Sequence, residues 1–422
     1  MRSLHDILQR IEQREAVVLT SQEVCEIVSS GQKETLLEVD VVTTATRAVM
    51  SGTYAVLSFP VAEPGSFRRA IGSRLNGVPA FVGPCPNENL GIVDLIVYGT
   101  MHRLNDSNYG GGHLFRDLVE RKSISADIEL KDGKKWQTEI TLDDMPHAML
   151  FGSRHAFKNY SAFVNSSNEP IDTIFHVTKF EPGCLGATFS GCGQINPLKN
   201  DPFLDAIGVG TRILLNGAEG FVLSKGTRGS SERPNLAGFA DMHEMEPEYM
   251  GGFKTSAGPE CICSWAVPIP VISPTILNEI GRLDKEIPLP VLDVISRECL
   301  ATADYGQVWD GVDLKVDFYS KDCLRCECCQ VEGLCPMGAL SSQGELKQKD
   351  EHKCFNCGAC IAECLGGAFR CNLGSIRVLD REVPVRLRQS DRFRAQKLAI
   401  DLKERILEGS FRMAPPVDRI FF

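Results

Sequence analysis

The 422-residue sequence is long enough for two or three domains around at least one large core, and 43% hydrophobic with 24% charged residues is an ordinary globular balance. A formal net charge of −10 argues against polyanionic partners, so neither nucleic acid nor an anionic membrane surface is expected. Met1 to Arg14 is charged throughout, without the apolar centre of a secretory signal, and the most apolar run, Trp265 to Leu277, is broken by Pro268, Pro270 and Pro274; a cytoplasmic protein is expected.

Thr20 with Glu23 forms a capping box, and Gly31 marks where that helix should stop. The alternation of Ile124, Ala126, Ile128 and Leu130, the turn Asp132-Gly133, and the second alternation of Trp136, Thr138, Ile140 and Leu142 predict a β-hairpin. A second hairpin is predicted over 211–224 about Asn216-Gly217. Glycine-rich loops occur at 109–113, 189–193 and 226–231. The first runs into a helical pattern (Leu114, Leu118 and Val119), an arrangement able to offer amides to an anion, although none fits a Walker or Rossmann template. Near the C-terminus a helix is predicted from a Ser390 cap to Gly409, with Leu398, Leu402 and Ile406 as its apolar stripe.

Ten of the 17 cysteines fall between positions 323 and 371. One cysteine-dense segment in a large acidic chain reads as metal binding rather than as a disulfide scaffold. Its first half is Cys323-x2-Cys326-x2-Cys329-x5-Cys335-Pro336 and its second is Cys354-x2-Cys357-x2-Cys360-x3-Cys364. A third cysteine at the next x2 step has no use at tetrahedral zinc, whereas such a triad wraps a cubane whose fourth ligand comes from the other half. Two [4Fe–4S] clusters are therefore expected, one on Cys323, Cys326, Cys329 and Cys364, the other on Cys354, Cys357, Cys360 and Cys335. The five-residue gap before Cys335 and Leu365 in place of proline are departures that could open an iron, and Cys328 and Cys371 are spare. The expected fold class is α+β: a mixed α/β body with hairpins over 1–310, a bacterial-type ferredoxin module over 315–380, and a helical extension over 381–422.

Several stretches of the body resemble one family. They are Asp40-Val41-Val42-Thr43-Thr44, Tyr109-Gly110-Gly111-Gly112-His113, Ile140-Thr141-Leu142-Asp143-Asp144, Asn165-Ser166-Ser167, 193–202, 207–212 and Val267-Pro268-Ile269-Pro270. In this order they resemble the homocysteine-biosynthesis family, the L-aspartate-semialdehyde sulfurtransferases. With the cysteine module included, the chain resembles the sixteenth family of methanogenesis-marker metalloproteins. The resemblance implies reductive thiolation: an aldehyde takes up sulfide and is reduced to a primary thiol with loss of water, consuming two electrons and two protons. The family's reactive cysteine after Met50 is replaced here by Ser51, and its cysteine ahead of residue 140 has no counterpart in 126–139.

Substitute thiols are Cys192 in a glycine loop, Cys184 eight residues earlier, the Cys261-x-Cys263 pair and Cys85 between two prolines; each competes with the reading of cysteine as a small core residue. Cys25 and Cys299 lie in helical patterns and read as core. Arg47, Arg68, Arg69 and Arg74 are candidates to hold an anionic substrate, against the alternative of a solvated face. His113 is a candidate proton donor, against the alternative of a helix cap. The expected partners are a small anionic aldehyde, a sulfide source and an external low-potential electron donor; homo-oligomerisation is left open. In a methanogen, sulfoacetaldehyde to coenzyme M is the same chemical step as aspartate semialdehyde to homocysteine. The rival expectation is a non-catalytic electron relay or assembly factor, which predicts a flat apolar patch beside the module instead of a concave pocket.

Overall fold

The computed structural model describes residues 2–83, 89–343 and 346–422; Cys85 lies outside them. The fold is α+β and rich in sheet. No helix among the described residues is long and apolar enough to cross a membrane.

A large sheet of fourteen described strands dominates. Its path runs Val18–Thr20, Val41–Val49, Gly258–Pro270, Arg212–Leu215, Ala218–Lys225, Leu236–Asp241, His147–His155, Thr53–Pro60, Ile92–Tyr98, Val78–Val82, Ala70–Leu75, Ile124–Leu130 and Lys135–Ile140. Gly251–Thr255 pairs onto Gly258–Pro270. Both predicted hairpins are present, with Trp136 opposite Ile128 in one and Leu215 opposite Ala218 in the other. Asn216 (φ 53°) and Gly217 (φ 89°) both take left-handed backbone, as a two-residue turn matching strand twist requires.

The sheet curls. Thr53–Pro60 stands five places from Gly258–Pro270 along the path, yet Thr53 Oγ1 lies 3.5 Å from Cys263 Sγ. Trp265 crosses the same interior and its indole N–H donates to His155 Nδ1 at 2.8 Å. A second, six-stranded sheet runs Cys299–Asp304, Pro288–Asp293, Ala162–Val164, Ala187–Phe189, Arg381–Arg388 and Ser375–Val378. Cys299, expected in a helix core, is thus an exposed strand residue.

The region after 380, expected as a helical extension, opens with the Arg381–Arg388 strand, whose parallel pairing to Ala187–Phe189 builds it into the second sheet. The helix follows at Arg392–Glu408. Its cap is Asp391, which accepts from the Arg394 amide, one residue beyond the expected Ser390; the Ser390 hydroxyl instead accepts from the Gly191 amide. Leu398, Leu402 and Ile406 are buried as expected, against Val41, Ala45 and Ala266 of the large sheet. Val49 N–H donates to the Gln389 carbonyl and Gln389 N–H to the Phe189 carbonyl, so this segment stitches the two sheets together.

Candidate functional site

The turn Met50-Ser51-Gly52 joins two strands that lie six places apart in the sheet, and it is clamped from below and from both sides. Because Trp265 donates to His155 Nδ1, the imidazole carries its proton on Nε2 and donates to Thr53 Oγ1 at 2.8 Å. Thr53 in turn donates to the Met50 carbonyl at 2.7 Å. Complete burial pushes the His155 pKa down to about 3, so this chain of hydrogen bonds is neutral and fixed in direction. The Met50 amide donates to the Cys261 carbonyl, and the Gly52 carbonyl accepts from both the amide and hydroxyl of Ser153.

Above the turn lies a cleft of about 570 Å³ open to solvent, lined by Val49, Ser51, Gly52, Arg154, Phe157, Tyr160, Ile174, Phe175, Ser190 and Gln389. Gly52 is needed for its shape, since a Cβ there would sit 2.8 Å from Arg154 Cβ. Arg154 lies 5.1 Å over the Phe157 ring, and its half-buried guanidinium has no hydrogen-bond or carboxylate partner among the described residues. A cation without a counter-ion in a concave, partly apolar site is suited to an anionic guest.

The arginines singled out from the sequence are not brought together here. Arg47 is completely buried; Nη1 pairs with Asp391 at 2.8 Å, Nη2 donates to the Glu248 carbonyl, and the guanidinium lies 4.7 Å over Phe355. Arg68, Arg69 and Arg74 are exposed at the Ala70–Leu75 end of the large sheet, nine strands away along the path. His113 is a cap: its Nδ1 accepts from the Gly110 amide at 3.1 Å, its ring also bonds the Pro336 carbonyl, and burial pushes its pKa down to about 4. Cys192 is completely buried beneath the terminal helix, where desolvation raises its thiol pKa, while Cys184 packs half-buried on the core of the second sheet. Cys261 and Cys263 are buried inside the curl, their thiols in mutual contact, and that contact with burial pushes Cys261 up.

The cysteine-rich segment forms two groups. Cys323, Cys326, Cys329 and Cys364 line one cavity with Cys328, at a surface where Leu324 and Leu365 are exposed. Cys335 falls instead with the second triad: burial, then the nearby Cys360, Cys335 and Cys354, raises the Cys357 thiol, and Cys335 acts likewise on Cys354 and Cys360. Backbone amides point at two of these sulfurs, Ala339 N–H to Cys335 at 3.3 Å and Asn356 N–H to Cys354 at 3.4 Å. Among the described residues no three His, Cys, Asp or Glu side chains converge as a single metal ion requires. A four-iron cluster spaces its thiolates more widely than one ion does, and two groups of four cysteines, each drawing from both halves, are the donor set it needs. The second group packs against the body with Phe253, Ile262 and Leu387, and Val49, which lines the cleft, rests on the same apolar cluster. The Arg388 amide, one residue before Gln389 of the cleft, donates to the Cys357 carbonyl at 2.9 Å.

Comparison with known proteins bears on this arrangement. The family described as "Homocysteine biosynthesis enzyme, sulfur-incorporation" matches residues 16–413. An uncharacterized protein of Methanothermobacter thermautotrophicus is 43% identical over 98% of this chain and 94% of its own length. Another of Methanocaldococcus jannaschii is 41% identical over 95% of this chain and 100% of its own. The L-aspartate semialdehyde sulfurtransferase of the latter organism is 29% identical over 76% of this chain, which spans 65% of that enzyme. No solved structure matches. The chain that holds this cleft thus belongs to the homocysteine-biosynthesis family of sulfur-incorporating enzymes.

Proposed function

We propose that the protein is an iron–sulfur sulfurtransferase that converts a small anionic aldehyde to a thiol using sulfide and two electrons. The observation that carries the proposal is Arg154, a guanidinium without a counter-ion among the described residues, in the cleft over the Met50–Gly52 turn. The two cysteine groups would each hold a [4Fe–4S] cluster, the buried one on Cys335, Cys354, Cys357 and Cys360, the surface one on Cys323, Cys326, Cys329 and Cys364. When bound, such clusters supply electrons one at a time from an external low-potential donor.

The chain's own residues bind and orient. Arg154 takes the anionic end of the aldehyde, the Phe157, Phe175 and Ile174 side chains exclude water from its short carbon chain, and Ser51 and Ser190 offer hydrogen bonds to the carbonyl end. Among the described residues no carboxylate lines the cleft. An α-ammonium group would find no counter-charge there, which favours sulfoacetaldehyde over aspartate semialdehyde and so the formation of coenzyme M over homocysteine. A relay would need no such cleft.

The test is anaerobic turnover of the reconstituted protein with sulfide, a low-potential reductant and each aldehyde in turn, scored by the thiol formed. Coenzyme M formed in preference to homocysteine is the expected result. No thiol from either aldehyde, with both clusters intact by spectroscopy, would refute the two substrates and favour an electron relay.

A further inference from the structure

We infer that Glu260 stores the proton that Ser51 hands to the oxygen leaving the thiolated aldehyde, an assignment that rests on the sulfur-incorporating reading above. Glu260 lies on the Gly258–Pro270 strand directly opposite Phe253, on the face that carries Ile262 toward the buried cysteine group. Only 5% of it is exposed, and its Oε2 has no hydrogen-bond partner among the described residues. Val49 stands opposite Ile262 and the Met50 amide donates to the Cys261 carbonyl, which brings Ser51, exposed in the cleft wall, beside Glu260. A buried carboxylate oxygen without a donor is costly, and protonation of the carboxyl removes that cost.

Among the described residues no cation pairs with Glu260 to keep the charge. On its own strand the titratable neighbour is Cys261, whose thiol is raised further by Glu260. On the paired strand, Lys254 turns its Nζ to the Gly333 carbonyl at 2.8 Å. On the Gly111–Val119 helix, His113 is occupied with Gly110 and Pro336, and Arg116 pairs with Glu120. Arg154 lies across the turn, without a carboxylate partner among the described residues. Burial accordingly raises the Glu260 pKa to about 7, with the Ser51 bond opposing it weakly.

The chemical step balances without a reductant. In the sulfide adduct R–CH(OH)–SH, Ser51 Oγ–H gives its proton to the hydroxyl and takes another from Glu260. The C–O bond breaks, water departs, C=S forms, and the S–H proton passes to solvent, from which Glu260 is recharged. A proton held at neutral pH and delivered through one hydroxyl is ordinary general-acid catalysis.

The test uses the full-length, reconstituted protein and two readouts. In turnover with sulfide and sulfoacetaldehyde, wild-type kcat/KM should fall as pH rises through about 7. Glu260→Gln should lose about 100-fold and that alkaline fall, and Glu260→Asp should restore a pH-dependent rate. Separately, infrared difference spectra of wild type minus Glu260→Gln, taken without aldehyde, should show a protonated carboxyl band at about pH 6 that disappears by about pH 9. Thiol formed without that band, or an alkaline fall surviving in Glu260→Gln, overturns the assignment to Glu260 alone. The band present with no thiol from the wild type overturns the sulfurtransferase reading, and the delivery step with it.

Discussion

The two cysteine groups have nearly the same spacing but different surroundings, and that difference gives the molecule a direction. The surface group sits in a cavity at the rim of the chain, bordered by exposed Leu324 and Leu365. The buried group, whose Cys357 is buried while Cys335, Cys354 and Cys360 are half-buried, is bolted to the body. Arg394 donates to the Cys354 and Glu351 carbonyls, the Arg388 amide to the Cys357 carbonyl, and Phe355 packs at 5.2 Å on Phe253 under the Arg47 guanidinium. Read with the proposed clusters, the surface group is where an external donor can approach and the buried group is where the cleft can be served.

The largest effect should come from breaking the buried group. Cys357→Ala should lower thiol formation by more than about a thousandfold and drop iron content from about eight to about four atoms per chain. Full turnover with four irons would end the assignment of the buried group to the cleft.

Next is the frame that holds that group. Arg47 and Asp391 are both completely buried, and Arg394 and Asn356 join them. Arg47→Met leaves Asp391 with a reduced set of partners in the core, so it should cost about 3–5 kcal/mol of stability. Urea denaturation would measure it, and a loss under about 1 kcal/mol would mean that the pair is not what secures the Cys354–Cys360 loop.

Third in size is the substrate side of the comparison. Arg154→Ala should lower kcat/KM by about 30- to 150-fold, or about 2–3 kcal/mol, chiefly through KM, because a charged hydrogen bond to the anion is lost while the catalytic groups remain. Arg154→Lys should recover only part, since a point charge cannot reproduce the planar fork. An unchanged KM would move the anion elsewhere.

How much of this could be read in the sequence follows from the range of the interactions. The hairpins at 124–140 and 212–225 were legible because period-2 alternation and turn chemistry are local. The crossed assignment of the eight cysteines rests on the two-cluster ferredoxin pattern, in which the fourth ligand of each triad comes from the other half, and remains part of the proposal. The cleft was not legible. It is assembled from Val49, Arg154, Ser190 and Gln389, residues that β-topology brings together over more than 300 positions. In sequence Arg154 looks like any strand-end cation. The four clustered arginines are separated because a curled sheet carries neighbours in sequence apart: Arg47 runs into the core and Arg74 lies exposed on a strand nine places along the path. Glu260 was overlooked for a related reason, as a charged residue next to a turn normally faces water and only tertiary packing buries it. The position of Ser51 was the one local signal, a serine after Met50 at the head of what became the cleft.

The smallest predicted effect sharpens the comparison most. If the surface group is an entry point, Cys326→Ala should depend on who delivers the electrons. A small reductant such as dithionite can reach past a damaged surface site, so turnover should fall only about tenfold, equivalent to about 1.4 kcal/mol. A protein donor of ferredoxin size cannot enter the cleft and must use the surface, so with it turnover should be lost. Equal losses with both donors would mean that Cys326 acts through folding of the whole segment, and near-normal rates with both would mean that electrons reach the buried group by another face. Because Cys326 and Cys357 hold equivalent places in their triads, the ratio of their effects with the two donors measures direction itself, independently of which aldehyde is thiolated.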